Sequence, residues 1–285
     1  MAATQITSDS LIPIEQHFRV SAGPGAGKTH WLINHIKNVL HTSSRLQNTR
    51  KIACITYTNV AVETILKRLG NASNRVEVST IHSFLYKHIV KPYARFIANE
   101  YNLNVKKIDG HDDVILSNYS FVDELKTRTK QKRIQDDRAL IQAIAKARWK
   151  FSNDGTLELK TDYPINVDGY ALKNTTYFEY KKMAWAEGIL HHDDVLFFSY
   201  KLLEKYPFIV FVLNAKFPYF FIDEFQDSNP IQVRILKILG QSETKIGIIG
   251  DKAQSIYSFQ GADSNQFYEF DLPQICDYEI SDNRR

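Results

Sequence analysis

Residues 18–29, Phe-Arg-Val-Ser-Ala-Gly-Pro-Gly-Ala-Gly-Lys-Thr, constrain the fold more than any other part of the chain. A short β pattern runs into a glycine-rich loop, and a helical pattern follows at residues 31–40. Glycines let backbone N–H groups converge on phosphate oxygens, and the helix turns its positive N-terminal end to the same point. The order of strand, loop, Lys-Thr and helix therefore predicts a phosphate-binding loop.

Each position of this loop has a predicted contact. Lys28 is expected to reach the β- and γ-phosphates of a nucleoside triphosphate, most simply ATP, and the Thr29 hydroxyl is expected to ligate Mg²⁺. Ala22 stands where the usual pattern has Gly. The alternative is a glycine-rich turn before a helix, with no ligand. The predicted nucleotide-binding positions are Ala22, Gly23, Pro24, Gly25, Ala26, Gly27, Lys28 and Thr29.

A second chemical motif follows a continuous apolar run, Tyr219-Phe-Phe-Ile, and consists of Asp223 and Glu224. A buried strand can hold Asp223 toward Thr29 and the metal ion, and Glu224 can then orient and deprotonate an attacking water. The alternative is an exposed Asp-Glu turn after a core strand. Because a phosphate loop precedes it, the motif favours nucleotide hydrolysis.

Short β-rich runs alternate with helical patterns, which predicts an α/β fold with a mostly parallel sheet covered on both faces. The strands are expected at residues 18–21, 52–56, 76–79, 220–223, 246–250 and 278–281, and helices at 31–40, 60–69 and 231–239. Clear β runs are missing from the middle of the chain, where 135–150 has a helical pattern and 153–155 and 166–169 have turn patterns. We expect a sheet domain from 1–90 and 185–285, interrupted by a mainly helical subdomain over 91–184.

Composition excludes several classes of protein. No apolar run approaches the roughly 18 residues of a membrane span. Two cysteines, Cys54 and Cys276, cannot form a four-thiolate cluster, and the N-terminus lacks a signal-peptide pattern, so a reduced, cytoplasmic protein without a membrane partner is expected. The net charge of +4 does not predict nucleic-acid binding, and the basic run at 126–133 fits either a solvated face or a phosphate-contacting surface.

Six motifs together resemble the UvrD/Rep/PcrA-like superfamily 1 DNA helicases. They lie at residues 22–29, 55–59, 78–82, 222–228, 249–262 and 283–285. The resemblance covers roughly residues 18–88 and 193–285, and the middle of the chain matches only in position, as a helical DNA-contacting subdomain. It implies a RecA-like P-loop NTPase domain that uses ATP and Mg²⁺ and binds single-stranded DNA.

The resemblance also implies roles for residues outside the phosphate loop. Gln254 corresponds to a glutamine that senses the γ-phosphate, and Arg285 to an arginine finger that stabilises the transferring phosphoryl group. Phe259 stands where the family usually has a tryptophan that stacks on a base, and a phenyl ring can also stack. The implied contacts to DNA are Thr56, Thr58, Asn59, Thr80, His82, Tyr257 and Phe259.

Two positions around the adenine depart from the family pattern. His30 replaces an arginine and Arg284 replaces a tyrosine, and in the family these two residues sandwich the base. Because both replacements are planar, we hypothesise that the sandwich persists with imidazole on one face and guanidinium on the other. Gln260 replaces a common arginine after the stacking residue.

Two functions remain open at this point. The first is the N-terminal ATP-binding half of an ATP-dependent DNA helicase or translocase, with 3′-to-5′ direction implied by the resemblance. Family members continue into a second RecA-like domain, so we expect a piece of a longer polypeptide or half of a split system, with weak nucleotide binding and little unwinding by itself. The alternative is a nucleotide- or DNA-sensing module that controls a partner nuclease in bacterial antiviral defence.

Overall fold

The computed structural model describes residues 3–112, 114–251 and 265–281. Two compact units make up the chain: the sheet unit, Met1–Phe84 with Leu203–Arg285, and the inserted unit, Leu85–Leu202. From the sequence we expected the inserted subdomain to span residues 91–184. These domain boundaries stay predictions.

The strands are β1 (Thr4–Ile6), β2 (Phe18–Ala22), β3 (Ile52–Thr56), β4 (Val76–Thr80), β5 (Arg148–Phe151), β6 (Leu157–Lys160), β7 (Asn166–Val167), β8 (Tyr170–Ala171), β9 (Tyr219–Ile222), β10 (Lys245–Gly250) and β11 (Cys276–Ile280). The α-helices are α1 (Lys28–Thr42), α2 (Asn59–Leu69), α3 (Ile81–Leu85), α4 (Lys91–Tyr93), α5 (Ala98–Tyr101), α6 (Tyr119–Arg128), α7 (Asp137–Ile144), α8 (Asn174–Ala186), α9 (His192–Lys205), α10 (Phe208–Lys216), α11 (Pro230–Gly240) and α12 (Asn265–Glu269). Short 3₁₀ turns occur at Gly70–Arg75, Ala94–Phe96 and Phe225–Asp227, and a π-helical turn at Tyr86–Val90.

The sheet unit contains a seven-stranded sheet in the order β1-β11-β2-β10-β9-β3-β4, and every pairing in it is parallel. The predicted α/β fold with a parallel sheet is therefore confirmed. All four residues of β9 are buried, as a strand covered on both faces requires. Since the strands are parallel, their carboxyl ends meet at one edge, where the loops after β2, β3, β9 and β10 come together.

Aromatic packing fixes α1 against the sheet. The ring of His35 lies between Trp31, which stacks on it at 5.1 Å, and Phe18, which meets it edge-on at 4.9 Å. Gly247 on β10 leaves room for the Phe18 ring, because a Cβ there would come within 2.1 Å of Phe18 Cζ. This packing anchors the strand before the phosphate loop and the helix after it.

The inserted unit is organised around Asp194, which is fully buried at the start of α9. Its carboxylate accepts hydrogen bonds from the indole nitrogens of Trp149 (3.1 Å) and Trp185 (3.0 Å), and from the His191 backbone N–H (3.0 Å). Lys181 Nζ lies 2.9 Å away. Burial opposes the charge, but Lys181 and His191 hold the pKa of Asp194 well below its usual range.

Two expectations for the inserted unit were wrong. The helix expected over 135–150 ends at Ile144, and residues 148–151 form β5, which pairs with β6 in an antiparallel hairpin. The reason is tertiary: the Trp149 ring stacks on Phe197 at 3.9 Å, and its indole N–H reaches Asp194. A second hairpin, β7–β8, was also not expected, although the turns predicted at 153–155 and 166–169 are confirmed as the turns of these hairpins.

The six predicted strands of the large sheet are confirmed to within two residues, whereas β1 was missed. Thr4 and Gln5 of β1 are exposed, so this three-residue edge strand lacks the apolar run that marked the others. Within the part of the chain that the structure describes, no helix combines the length and the apolar character needed to cross a membrane.

Candidate functional site

The loop between β2 and α1 has the backbone that a phosphate ligand requires. Gly25 has a φ of 78° and Gly27 a φ of 87°, in the left-handed region that favours glycine. Gly27 is the N-cap of α1, and among the described residues no side chain caps its first turn. The N–H groups of that turn are therefore directed at the loop, with the positive end of the helix dipole behind them.

Lys28, the first residue of α1, points at two carboxylates. Its Nζ lies 3.3 Å from Glu224 Oε2 and 3.7 Å from Asp251 Oδ2, and its side chain is only 9% exposed. A buried ammonium group needs such partners because burial without them is costly. The same geometry leaves the lysine beside the loop glycines, where an anionic phosphate would compete with the carboxylates for it.

Asp223 follows β9 directly and is 3% exposed. Its backbone N–H donates to Ile55 O of the adjacent strand β3 at 2.9 Å, which fixes the carboxylate at the strand edge. Burial raises the pKa of Asp223 to about 7, the neighbouring Glu224 carboxylate adds to this, and Lys28 and a hydrogen bond from the Thr29 hydroxyl oppose it.

The residues at this point fit a magnesium ion. Thr29 and Asp223 contribute a hydroxyl and a carboxylate oxygen that already contact each other, and oxygen atoms are the ligands that Mg²⁺ prefers. Mg²⁺ commonly takes only one or two protein ligands, with phosphate oxygens and waters completing its shell. A cation here would also stabilise the ionised form of a carboxylate that burial otherwise disfavours.

Glu224 adopts an unusual backbone conformation, with a φ of 53° and a ψ of 41°. A residue other than glycine is rare in this region, and such strain is often stored at functional sites. The conformation starts the 3₁₀ turn Phe225–Asp227 and turns the Glu224 side chain toward Lys28. Glu224 is partly exposed, at 35% of its side chain, so solvent can reach the carboxylate.

Gln226 holds the Glu224 carboxylate from the other side. Its Nε2 donates to Glu224 Oε2 at 2.7 Å, and its Oε1 accepts from the Asp251 backbone N–H at 3.0 Å. Gly250 makes this approach possible, because a Cβ there would lie 2.8 Å from Gln226 Oε1. Gln226 therefore ties the end of β9 to the end of β10.

Sequence reasoning assigned no role to Gln226 or Asp251. A signal for Asp251 existed, since it follows a buried strand just as Asp223 does. Gln226 lies within the motif at residues 222–228, but the sequence does not reveal its role, because that role depends on the adjacency of β9 and β10.

The nucleic-acid candidates lie at the carboxyl ends of neighbouring strands. Thr56 of β3 is paired in register with Thr80 of β4. Thr58 is the N-cap of α2, where its hydroxyl accepts from the Ala61 N–H at 3.1 Å, and Asn59 is exposed in the first turn. His82 belongs to α3, which directly follows β4.

Their local contacts differ. Thr56 is buried at 1% exposure, and Thr80 donates to the Ser83 hydroxyl at 2.9 Å. The structure thus brings the implied DNA contacts Thr56, Thr58, Asn59, Thr80 and His82 to one edge of the sheet, where Thr58 and Thr80 also have structural hydrogen bonds.

His30 contacts two polar side chains near the phosphate loop. Its Nε2 lies 2.9 Å from Asp9 Oδ1 and 2.9 Å from Asn34 Nδ2. The ring is 43% exposed. The hypothesis of a base sandwich with Arg284 stays a hypothesis, since its second member lies outside the described residues. The same holds for the predicted roles of Gln254, Tyr257, Phe259 and Arg285.

Comparison with known proteins identifies the family. The family model of the UvrD/REP helicase N-terminal domain matches residues 3–273. The chain belongs to this family. The resemblance seen in the motifs is therefore confirmed, and membership extends across the inserted unit, where motifs gave no signal.

Individual relatives agree with this assignment at low identity. The chain is 26% identical over 285 residues to the ATP-dependent DNA helicase PcrA of Staphylococcus aureus, covering 98% of the chain and 37% of that protein. It is 28% identical over 277 residues to the ATP-dependent DNA helicase Rep of Buchnera aphidicola, covering 93% and 38%. It is 29% identical over 287 residues to the Gabija protein GajB of Bacillus cereus, covering 83% and 41%. The chain thus spans about two fifths of the length of these relatives.

Proposed function

We propose that this chain is the N-terminal ATP-binding half of a UvrD-like ATP-dependent DNA helicase or translocase, which binds single-stranded DNA, hydrolyses ATP and moves in the 3′-to-5′ direction. The observation that carries the proposal is the position of Lys28, which lies beside a left-handed glycine loop and within 3.7 Å of two carboxylates. Its proposed location is the cytoplasm.

In the proposed reaction, the loop N–H groups and Lys28 bind the triphosphate. Thr29 and Asp223 would hold Mg²⁺, which would supply positive charge to neutralise the phosphates. Glu224 orients the attacking water and accepts its proton, while Gln226 keeps the Glu224 carboxylate in place. Gln254 and Arg285 are proposed, by family resemblance, to sense and stabilise the γ-phosphate.

Single-stranded DNA is proposed to bind along the strand edge that carries Thr56, Thr58 and Thr80. Support comes from the pairing of Thr56 with Thr80, which groups the implied contacts on adjacent strands. Tyr257 and Phe259 are proposed to stack on bases, which contributes about 1–3 kcal/mol per base.

Unwinding is proposed to need more of the protein than this chain. The helicase relatives PcrA and Rep are matched over 37% and 38% of their lengths. Stepping along DNA requires two domains that open and close around the nucleotide. The chain by itself is therefore expected to bind nucleotide weakly and to unwind little or no DNA.

A second function is compatible with the similarity to the Gabija protein GajB. Here the same site senses nucleotide or DNA and controls a partner nuclease in bacterial antiviral defence. This alternative predicts a stable complex with a second protein, so a native mass well above 32.9 kDa would favour it.

The deciding measurement is the ATPase rate with and without single-stranded DNA, on this chain and on the whole protein that carries it. Stimulation by DNA that disappears in Lys28→Ala supports the helicase proposal. Absence of stimulation in both proteins counts against it, and a nuclease that co-purifies and responds to ATP supports the alternative.

A further inference from the structure

Tyr57 lies between two of the proposed nucleic-acid contacts and bonds to the segment that follows the acidic motif. It directly follows β3, with Thr56 before it and the N-cap Thr58 after it. Its hydroxyl lies 2.5 Å from Ser228 Oγ and 3.3 Å from Gln232 Oε1.

The chemistry of the three groups sets the direction of these hydrogen bonds. An amide oxygen can only accept, so the Tyr57 hydroxyl donates to Gln232 Oε1, and the Ser228 hydroxyl then donates to the Tyr57 oxygen. A tyrosine hydroxyl is protonated at neutral pH, and burial raises the pKa of Tyr57 further. The same Gln232 oxygen accepts from the Asn229 N–H at 3.0 Å, which fixes it at the start of α11.

Ser228 in turn lies at the end of the short turn that begins at Glu224. The Ser228 N–H donates to Phe225 O at 3.0 Å, and the Asp227 N–H donates to Glu224 O at 3.0 Å. Ser228 itself is 1% exposed. These two hydrogen bonds close the segment from Glu224 to Ser228 into one short turn, so a shift at Ser228 is expected to change the position of Glu224.

We propose that Tyr57 is a positioning residue that couples occupancy of the DNA-binding edge to the orientation of Glu224. This inference rests on the proposed function. DNA that contacts the exposed residues Thr58 and Asn59 moves or rigidifies the segment that begins at Tyr57, and the Tyr57 hydroxyl transmits that change through Ser228 to the hydrolysis site. The link consists of the Tyr57–Ser228 hydrogen bond and the hydrogen-bonded turn from Glu224 to Ser228, all within the sheet unit, and such a contiguous contact is the physical basis that coupling needs.

The test removes one oxygen atom. Tyr57→Phe in the whole protein that carries this chain is expected to keep the DNA-free ATPase rate within about twofold. It is expected to lower the ratio of the DNA-saturated rate to the DNA-free rate by at least about threefold, the order expected for one buried hydrogen bond. The ratio is informative because a purely structural defect lowers both rates together.

Ser228 provides a matched pair of variants. Ser228→Ala is expected to reproduce the loss of stimulation, whereas Ser228→Thr retains the hydroxyl and is expected to keep the ratio. The double variant Tyr57→Phe/Ser228→Ala is expected to lose no more than either single variant, because both remove the same link.

Tyr219→Phe is the control for loss of a tyrosine hydroxyl from the same sheet. Its hydroxyl contacts Ser43 at 2.7 Å and Glu15, both away from the acidic motif, and the ratio should remain that of the wild type. Tyr57→Phe with unchanged stimulation, equal loss of both rates, or additive losses in the double variant would overturn the coupling. A wild-type protein that DNA does not stimulate would overturn the proposed function as well.

Discussion

The side-chain amide of Gln226 donates a 2.7 Å hydrogen bond to Oε2 of Glu224, the same oxygen that lies 3.3 Å from Lys28 Nζ. Phosphate binding is expected to draw Lys28 away from this oxygen, because the lysine then has a stronger anionic partner. The Gln226 amide is uncharged, so phosphate attracts it less than it attracts Lys28, and its hydrogen bond can hold the carboxylate through the reaction.

Gln226→Ala is therefore expected to lower kcat for ATP hydrolysis about tenfold, with little change in KM. One hydrogen bond to a charged group contributes about 1.5–3 kcal/mol, and this one orients the group that activates water. Gln226→Glu should reduce kcat further, because it replaces a donor with a second negative charge. Steady-state kinetics with Gln131→Ala, another buried glutamine, is the control, and equal effects of the three substitutions would contradict the assigned role.

Addition of ATP and Mg²⁺ is expected to raise the melting temperature of the chain, because a ligand that binds only the folded state stabilises it. At a concentration of about 100 times Kd the gain is roughly 2.7 kcal/mol. Lys28→Ala should abolish the shift, whereas Lys37→Ala, an exposed lysine in the same helix, should retain it. Differential scanning fluorimetry measures the melting temperatures of both variants. A full shift in Lys28→Ala would show that Lys28 does not bind the nucleotide.

Much of the large sheet could be predicted from sequence, because its strands are continuous apolar runs or lead into chemical motifs. β9 satisfies this condition along its whole length and β10 does so after Lys245, and so both were found. β1 does not, because Thr4 and Gln5 are exposed and the strand exists through its pairing with β11.

Residues that act through distant neighbours could not be predicted. Gln226 matters because Asp251, 25 residues later and directly after β10, donates its backbone N–H to it. Trp149 leaves a helical pattern because Asp194, 45 residues later, accepts its indole N–H. The phosphate loop could be predicted, because its glycines, lysine and threonine are contiguous in the sequence and their spacing alone indicates phosphate binding.

Asp194→Asn is expected to destabilise the inserted unit by about 3–5 kcal/mol, because it leaves the charge of Lys181 buried without its partner. Hydrogen exchange of the α8 and α9 amides, compared with the wild type, measures the loss. Asp193→Asn is the matched control: Asp193 lies 3.4 Å from Arg148 in a partly exposed ion pair, and such pairs contribute about 1 kcal/mol or less. Similar protection in both variants would show that the buried carboxylate is not the organising group.

The free energy of unfolding should depend on pH in part through the titration of His35. Burial lowers the pKa of His35 to about 4, and within the described residues neither ring nitrogen has a hydrogen-bond partner. Between pH 6.5 and 4 the unfolded chain protonates this histidine while the folded chain does not. The free energy of unfolding therefore falls as pH falls through this window, by roughly 3 kcal/mol from His35 at most.

His35→Phe tests this pH dependence directly. A phenyl ring can pack against Trp31, Phe18 and Phe221 as the imidazole does, and it cannot titrate. The variant should be at least as stable as the wild type at pH 7 and should lose less stability on acidification to pH 4.5. Some slope should remain from His17, whose pKa is also lowered to about 4 by burial and by Lys245. Urea unfolding at a series of pH values measures the slope, with His41→Phe, an exposed histidine of the same helix, as control. A slope in His35→Phe equal to that of the wild type would mean that the folded protein accommodates the imidazolium form of His35.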